Sequence, residues 1–239
     1  MNMYLSNAQL KDNAKEKLTG KYTFLIGAYL VVQLITSQVS SLIISQVPTT
    51  TTIGLIFAEA ISYMLSVFAG LLSVGIIYIF MKINCNVQVF LSDVFYAFTH
   101  NTKTFILLSL IIQGISFLFY LSYGIPLMLP GRTGDWSMVW WAIPGMLVAA
   151  TLLLPISLAL SQCYFLALDF PDKSAKEILQ LSMRIMKGHK VRFFLIQLSF
   201  IPLQILAILS LIGNLWLNPY KDMVYTQFYF DIMKPVQKD

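Results

Sequence analysis

A carboxylate inside hydrocarbon marks possible chemistry, and Glu59 is the single acidic residue within the long apolar stretches of this 239-residue chain. Such a group is costly unless it is paired, neutralised or shallow, so its functional reading is a proton or cation site. The structural alternative is as simple. Glu59 follows the start of its helix at Ile53 by about 9 Å along the axis, close enough to an end to meet water or snorkel.

Four other patterns bear on function. Gly54, Ala58, Ser62, Ser66 and Gly70 recur every four residues, a stripe of small side chains against which another helix can pack closely. The stripe serves internal packing or a partner equally well. Gln33, Gln38, Gln113, Gln162, Gln197 and Gln204 lie inside apolar stretches, where their amides either glue helices together or line a polar cavity. Arg184, Lys187, His189 and Lys190, with Arg192 nearby, form a compact basic cluster. This cluster attracts anionic lipid or merely sets topology.

Catalytic sets are missing from the pattern. Gly114-Ile115-Ser116 places a serine in an apolar stretch, but His100 and His189 both fall outside those stretches and no H-E-x-x-H occurs. Gly188 is not followed by the Lys-Ser/Thr of a phosphate-binding loop. Cys85 and Cys163 show neither C-x-x-C nor Cys/His ligand spacing. The expectations are therefore no enzyme activity, no cofactor, no metal and no disulfide.

The elements that must hold these residues follow from composition. Hydrophobic residues make up 57% of the chain and charged ones only 11%, against about 25% charged in a soluble domain. The fold class expected is an all-α polytopic transmembrane bundle. About five spans are expected, near residues 22–46, 53–81, 104–127, 136–168 and 193–217. The fourth carries Pro144 and Pro155 and reads as one kinked helix; the fifth contains Pro202 and should break at Asn218, before Pro219.

Residues 1–21 read as a cytoplasmic amphipathic helix, with Ser6 and Gln9 in a capping box and Gly20 as the stop. Val87, Phe90, Leu91, Val94 and Phe98 predict a second interfacial helix, and Ser174 with Glu177 caps a third bearing Ile178, Leu181 and Ile185. Residues 218–239 read as an aromatic-rich interfacial tail. No A-x-A-like cleavage site follows the first apolar stretch, which is expected to remain as a helix.

The net charge of +5 does not imply nucleic acid, because the basic residues lie between apolar stretches rather than along one continuous stripe. Counting Lys and Arg in alternate loops gives twelve on one side, in the N-terminal stretch and segments 82–103 and 169–192, against Arg132 on the other. The positive-inside rule places the N-terminus in the cytoplasm. Five spans would leave the tail outside, although Lys221, Lys234 and Lys238 weaken that step, and a re-entrant fifth stretch would return the tail to the cytoplasm.

Several residue groups together carry a family resemblance. They are Asp169, Ser182 with Met186-Lys187-Gly188-His189-Lys190, Leu198-Ser199-Phe200-Ile201, Leu215-Trp216 with Pro219-Tyr220, and Phe228-Tyr229, preceded by Leu10-Lys11, Ala14, Leu18 and Gly20. In these the chain resembles the bacterial membrane family called Domain of Unknown Function 975, departing from it at Pro202. The resemblance implies a Gram-positive cytoplasmic-membrane protein and supplies no catalytic residue. The expected role is non-enzymatic: binding or accessory work in the cell envelope, as partner of a membrane complex or in tolerance of antimicrobial peptides, with anionic lipid at the cytoplasmic face, a membrane-protein partner or a second copy as partners. A small transporter or lipid-handling protein is the alternative.

Overall fold

The computed structural model describes residues 4–47, 51–128, 136–210 and 213–234. The expected turn at 131–135, with Arg132, and the threonines at 49 and 50 lie outside them. Among the described residues every regular element is helical.

Helix α1 (Asn7–Leu18) starts at the expected box, with Gln9 N–H donating to Ser6 Oγ and Ser6 N–H donating to Gln9 Oε1. Gly20 follows its end at φ 77°, a left-handed conformation that glycine adopts without steric cost. Helices α2 (Tyr22–Ile44) and α3 (Thr52–Asn84) then run out and back. A 3₁₀ turn (Leu91–Phe95) and the short α4 (Tyr96–Thr99) lead to α5 (Thr102–Met128), which is followed by α6 (Val139–Leu160) and α7 (Cys163–Asp169).

These long helices are apolar all round, and their outer surfaces stay exposed, as at Leu34 (58%) and Trp140 (79%). Five stretches have the length and composition to cross a membrane: 22–44, 53–84, 102–124, 139–169 and 190–209. The chain is a helical membrane protein. Pro144 and Pro155 both sit inside α6, and the fourth stretch breaks later, at Ser161 and Gln162, before continuing as α7.

α3 packs between α2 and α5, and α5 packs on α6. With alternating directions, the start of α2, the end of α3, the start of α5 and the end of α7 collect at one end of the bundle. The core is densest there: Leu25, Phe80, Ile83, Phe105, Leu108 and Leu166 are all essentially inaccessible. Gly75 allows one close approach, since a Cβ at that position would overlap the Val94 carbonyl. The Lys82–Asp93 pair, at 2.7 Å, fastens the same segment to α3.

The remaining helices cover that end. α8 (Ala175–Ile185) begins at the Ser174–Glu177 box and buries Ala175, Ile178 and Ser182 against its neighbours. α9 (Lys190–Leu198) and α10 (Ile201–Leu209) lead into α11 (Gly213–Met233), which folds back along both. Trp216 packs on Tyr22, the first residue of α2, at 5.3 Å between ring centroids with the planes tilted by 38°. Further along, Gln227 Nε2 donates to Asn84, the last residue of α3 (2.6 Å), and Tyr229 Oη to Asp169, the last of α7 (2.7 Å). Trp216 and Tyr229 are roughly 20 Å apart on the helix axis. A helix that meets the same-side ends of three others over that length lies across them.

α1 rides along α11 in turn, burying Leu10, Ala14 and Leu18, with Lys11 Nζ 4.8 Å from the Phe200 ring centroid.

Three expectations need correction. Residues 87–98 are not one helix: after Asn86, at φ 56°, the chain is extended and then 3₁₀, because the close fit to Gly75 and the Asp93 carboxylate on Phe90 N–H hold it to α3. The fifth stretch does not end at Asn218. Its continuous run splits into α9 and α10, while Pro219 lies inside α11, where burial of Met223, Val224, Phe228, Tyr229 and Ile232 outweighs the lost helix bond. The tail is not on the far side from the N-terminus, since Asp231 accepts the Leu5 N–H at 3.2 Å.

Candidate functional site

A polar cavity of about 610 Å³ lies where α2, α10 and α11 meet, lined by Tyr29, Leu30, Gln33, Gln204, Asn214, Leu215, Asn218 and Lys221. Long side chains on a helix lean toward its N-terminus, so Tyr29 and Gln33 reach back toward the covered end of the bundle. Asn214, Asn218 and Lys221 share one face of α11 at i, i+4 and i+7. Gly213 N–H donates to the Ser210 carbonyl (3.1 Å), and a Cβ at Gly213 would meet Ser210 Oγ and the Ala207 backbone.

Hydrogen bonds order the wall. Gln204 Nε2 donates to Asn214 Oδ1 (2.6 Å) and Lys221 Nζ donates to Gln204 Oε1 (3.1 Å). Beside them the Tyr29 hydroxyl donates to the Asp222 carboxylate. Among the described residues no carboxylate comes within 4.0 Å of Lys221 Nζ. An ammonium has three donors, and Asn214 and Asn218, whose side-chain amides carry N–H donors, line the same cavity. The arrangement suits a ligand rich in acceptor oxygens and carrying negative charge.

A second network closes the other end of α11. Arg192 Nη2 donates to Asp231 Oδ2 (2.7 Å) and to Leu5 O (2.6 Å), while Lys234 Nζ lies 3.5 Å from Asp231. Tyr4 and Phe228 flank the guanidinium at 5.5 and 5.2 Å, and His189 meets Tyr4 edge-on at 4.7 Å. Burial, then the Arg192 charge, hold the His189 imidazole below its ordinary range against the opposing pull of Asp231.

The sequence candidates distribute unevenly over this framework. Arg184 and Lys187 are exposed, whereas His189 and Lys190 are half-buried. The residue of that cluster with a defined partner is Arg192. Glu59 is half-buried, accepts a bond from Tyr120 Oη (3.3 Å), and belongs to the opposite end of α3 from Asn84, away from the cavity.

The small stripe advances about 40° around its helix at each step of four residues, so it does not present one face. Gly54 and Ala58 are buried, Ser62 and Ser66 line a pocket against α2, and Gly70 abuts Ser109 and Gln113 of α5. Of the glutamines, Gln33 and Gln204 line the cavity, whereas Gln162 is buried with its Nε2 on Ser161 and its Oε1 unpartnered. Sequence reading passed over Asn214, Asp222 and Asp231; Asn218 entered it only as a helix break and Lys221 only as a topology charge. The i, i+4, i+7 spacing of Asn214, Asn218 and Lys221 was the available signal.

Among the described residues no group of three or more His, Cys, Asp or Glu side chains is placed to hold a metal ion. No curated protein and no solved structure matches the chain. A family described as a protein of unknown function, DUF975, matches residues 1–235. With that match extending over the bundle and the helices that cover it, the chain belongs to the DUF975 family of proteins of unknown function.

Proposed function

We propose that this protein is a non-enzymatic binding component of the bacterial cytoplasmic membrane that holds a negatively charged ligand in the cavity between α2, α10 and α11. The observation that carries this reading is Lys221, a cation with no carboxylate within 4.0 Å among the described residues, set among amides at a helix junction. Placing the N-terminus in the cytoplasm rests on the twelve Lys and Arg counted on its side. The return of α11 adds Lys234 to that side.

Gentle extraction from native membranes, followed by mass spectrometry of everything retained, tests the reading. One discrete acidic compound at about one per chain supports it; a chain that retains only neutral lipid in bulk excludes it. Transport is the second reading, favoured by the cavity and by the break between α9 and α10 at Ser199–Phe200. It requires flux in proteoliposomes that disappears in Lys221→Gln, whereas a binding protein shows retention without flux.

A further inference from the structure

We propose that the ligand of the Lys221 cavity is the phosphate headgroup of an anionic membrane phospholipid, taken up sideways from the bilayer. This inference rests on the binding reading above and adds the class and origin of the ligand. The rim of the cavity supports it. Gln204 shares its face of α10 with Ile201 and Ile208, and Gln33 shares its face of α2 with Leu30. These three aliphatic neighbours are exposed, from Leu30 at 41% to Ile208 at 68%.

Six of the eight lining residues thus carry polar groups, and exposed aliphatic side chains adjoin them on the same helix faces. A free anion gains nothing from such neighbours and is hindered by them. A phospholipid uses both parts, with phosphate oxygens on Lys221 Nζ and on the amide N–H groups of Asn214 and Asn218, and acyl chains along the exposed aliphatic rim. The position also fits. The covered end of the bundle carries Lys17, Lys82, Lys173, Lys190 and Arg192, the side on which anionic lipid would be enriched.

The whole chain, purified in mild detergent and stripped of lipid, would be titrated separately with phosphatidylglycerol, phosphatidylcholine and inorganic phosphate, with native mass spectrometry counting bound molecules. The expected result is one phosphatidylglycerol per chain, with affinity falling at least tenfold in Lys221→Gln. Lys176→Gln, at an exposed position of α8 outside the basic cluster, should leave it unchanged. Asn218→Leu, which replaces an amide of the cavity wall by a near-isosteric hydrocarbon and leaves the charge in place, is the second variant should Lys221→Gln fail to fold, and it too should weaken lipid binding.

Phosphatidylglycerol binding that is the same in both cavity variants overturns the inference, as does equal binding of phosphatidylcholine. If inorganic phosphate binds in a Lys221-dependent way and the lipid does not, the cavity remains an anion site and only the lipid assignment fails. If neither binds, both readings fall.

Discussion

Arg192 joins three parts of the chain: its own helix, the Asp231 carboxylate of α11 and the Leu5 carbonyl before α1. Asp231 is almost wholly buried, at 1% exposure, so removing the guanidinium leaves a carboxylate that only the more exposed Lys234 can compensate. Arg192→Met should lower stability by about 3 kcal/mol, read as thermal unfolding in detergent, and Arg192→Met with Asp231→Leu should recover a large part of it. A single variant as stable as the native protein would show that the pair contributes nothing. His189 adds a pH dependence. Its folded pKa lies below the ordinary value of 6.5, so the folded protein binds fewer protons than the unfolded chain as pH drops below that value. This contribution is present above 6.5 and lost as pH falls through the folded pKa. His189→Gln should flatten the decline in melting temperature between pH 7 and pH 5.

At the scale of elements, the least legible helix in the sequence is the most connected one. The apolar runs of α2, α3, α5 and α6 follow from composition, and both capping boxes place their helix starts correctly. α11 could not be recognised that way. Asn214, Asn218, Lys221, Asp222 and Asp231 interrupt its apolar residues, and their partners on α2, α9 and α10 are close only after folding. Two of the eight lining residues were nonetheless legible, because Gln33 and Gln204 stand out within apolar runs. The segment after α3 was misread for a related reason: helical spacing of Val87, Phe90, Leu91, Val94 and Phe98 is genuine, but a backbone contact with Gly75 decides the conformation. Gly75→Ala should cost about 1–3 kcal/mol by forcing the two backbones apart. Hydrogen exchange should rise first around Val94. Exchange that rises uniformly over the chain instead would deny the contact its local role.

For the whole molecule, the placement of α11 across the ends of α2, α3 and α7 gives both termini one address. Fluorescent fusions that mature only in the cytoplasm should therefore report from either end, and protease applied from outside should reach neither. A periplasmic or external C-terminal reporter would contradict the arrangement. The same placement determines the order in which the protein can be completed. α1 is synthesised long before α11, yet Leu10, Ala14 and Leu18 are covered largely by α11. During translation α1 must wait with its apolar side uncovered until α11 emerges, held by the membrane surface or a chaperone. A nascent chain halted before Gly213 would keep that side open. Quality-control proteases would have a direct means of telling an unfinished copy from a finished one.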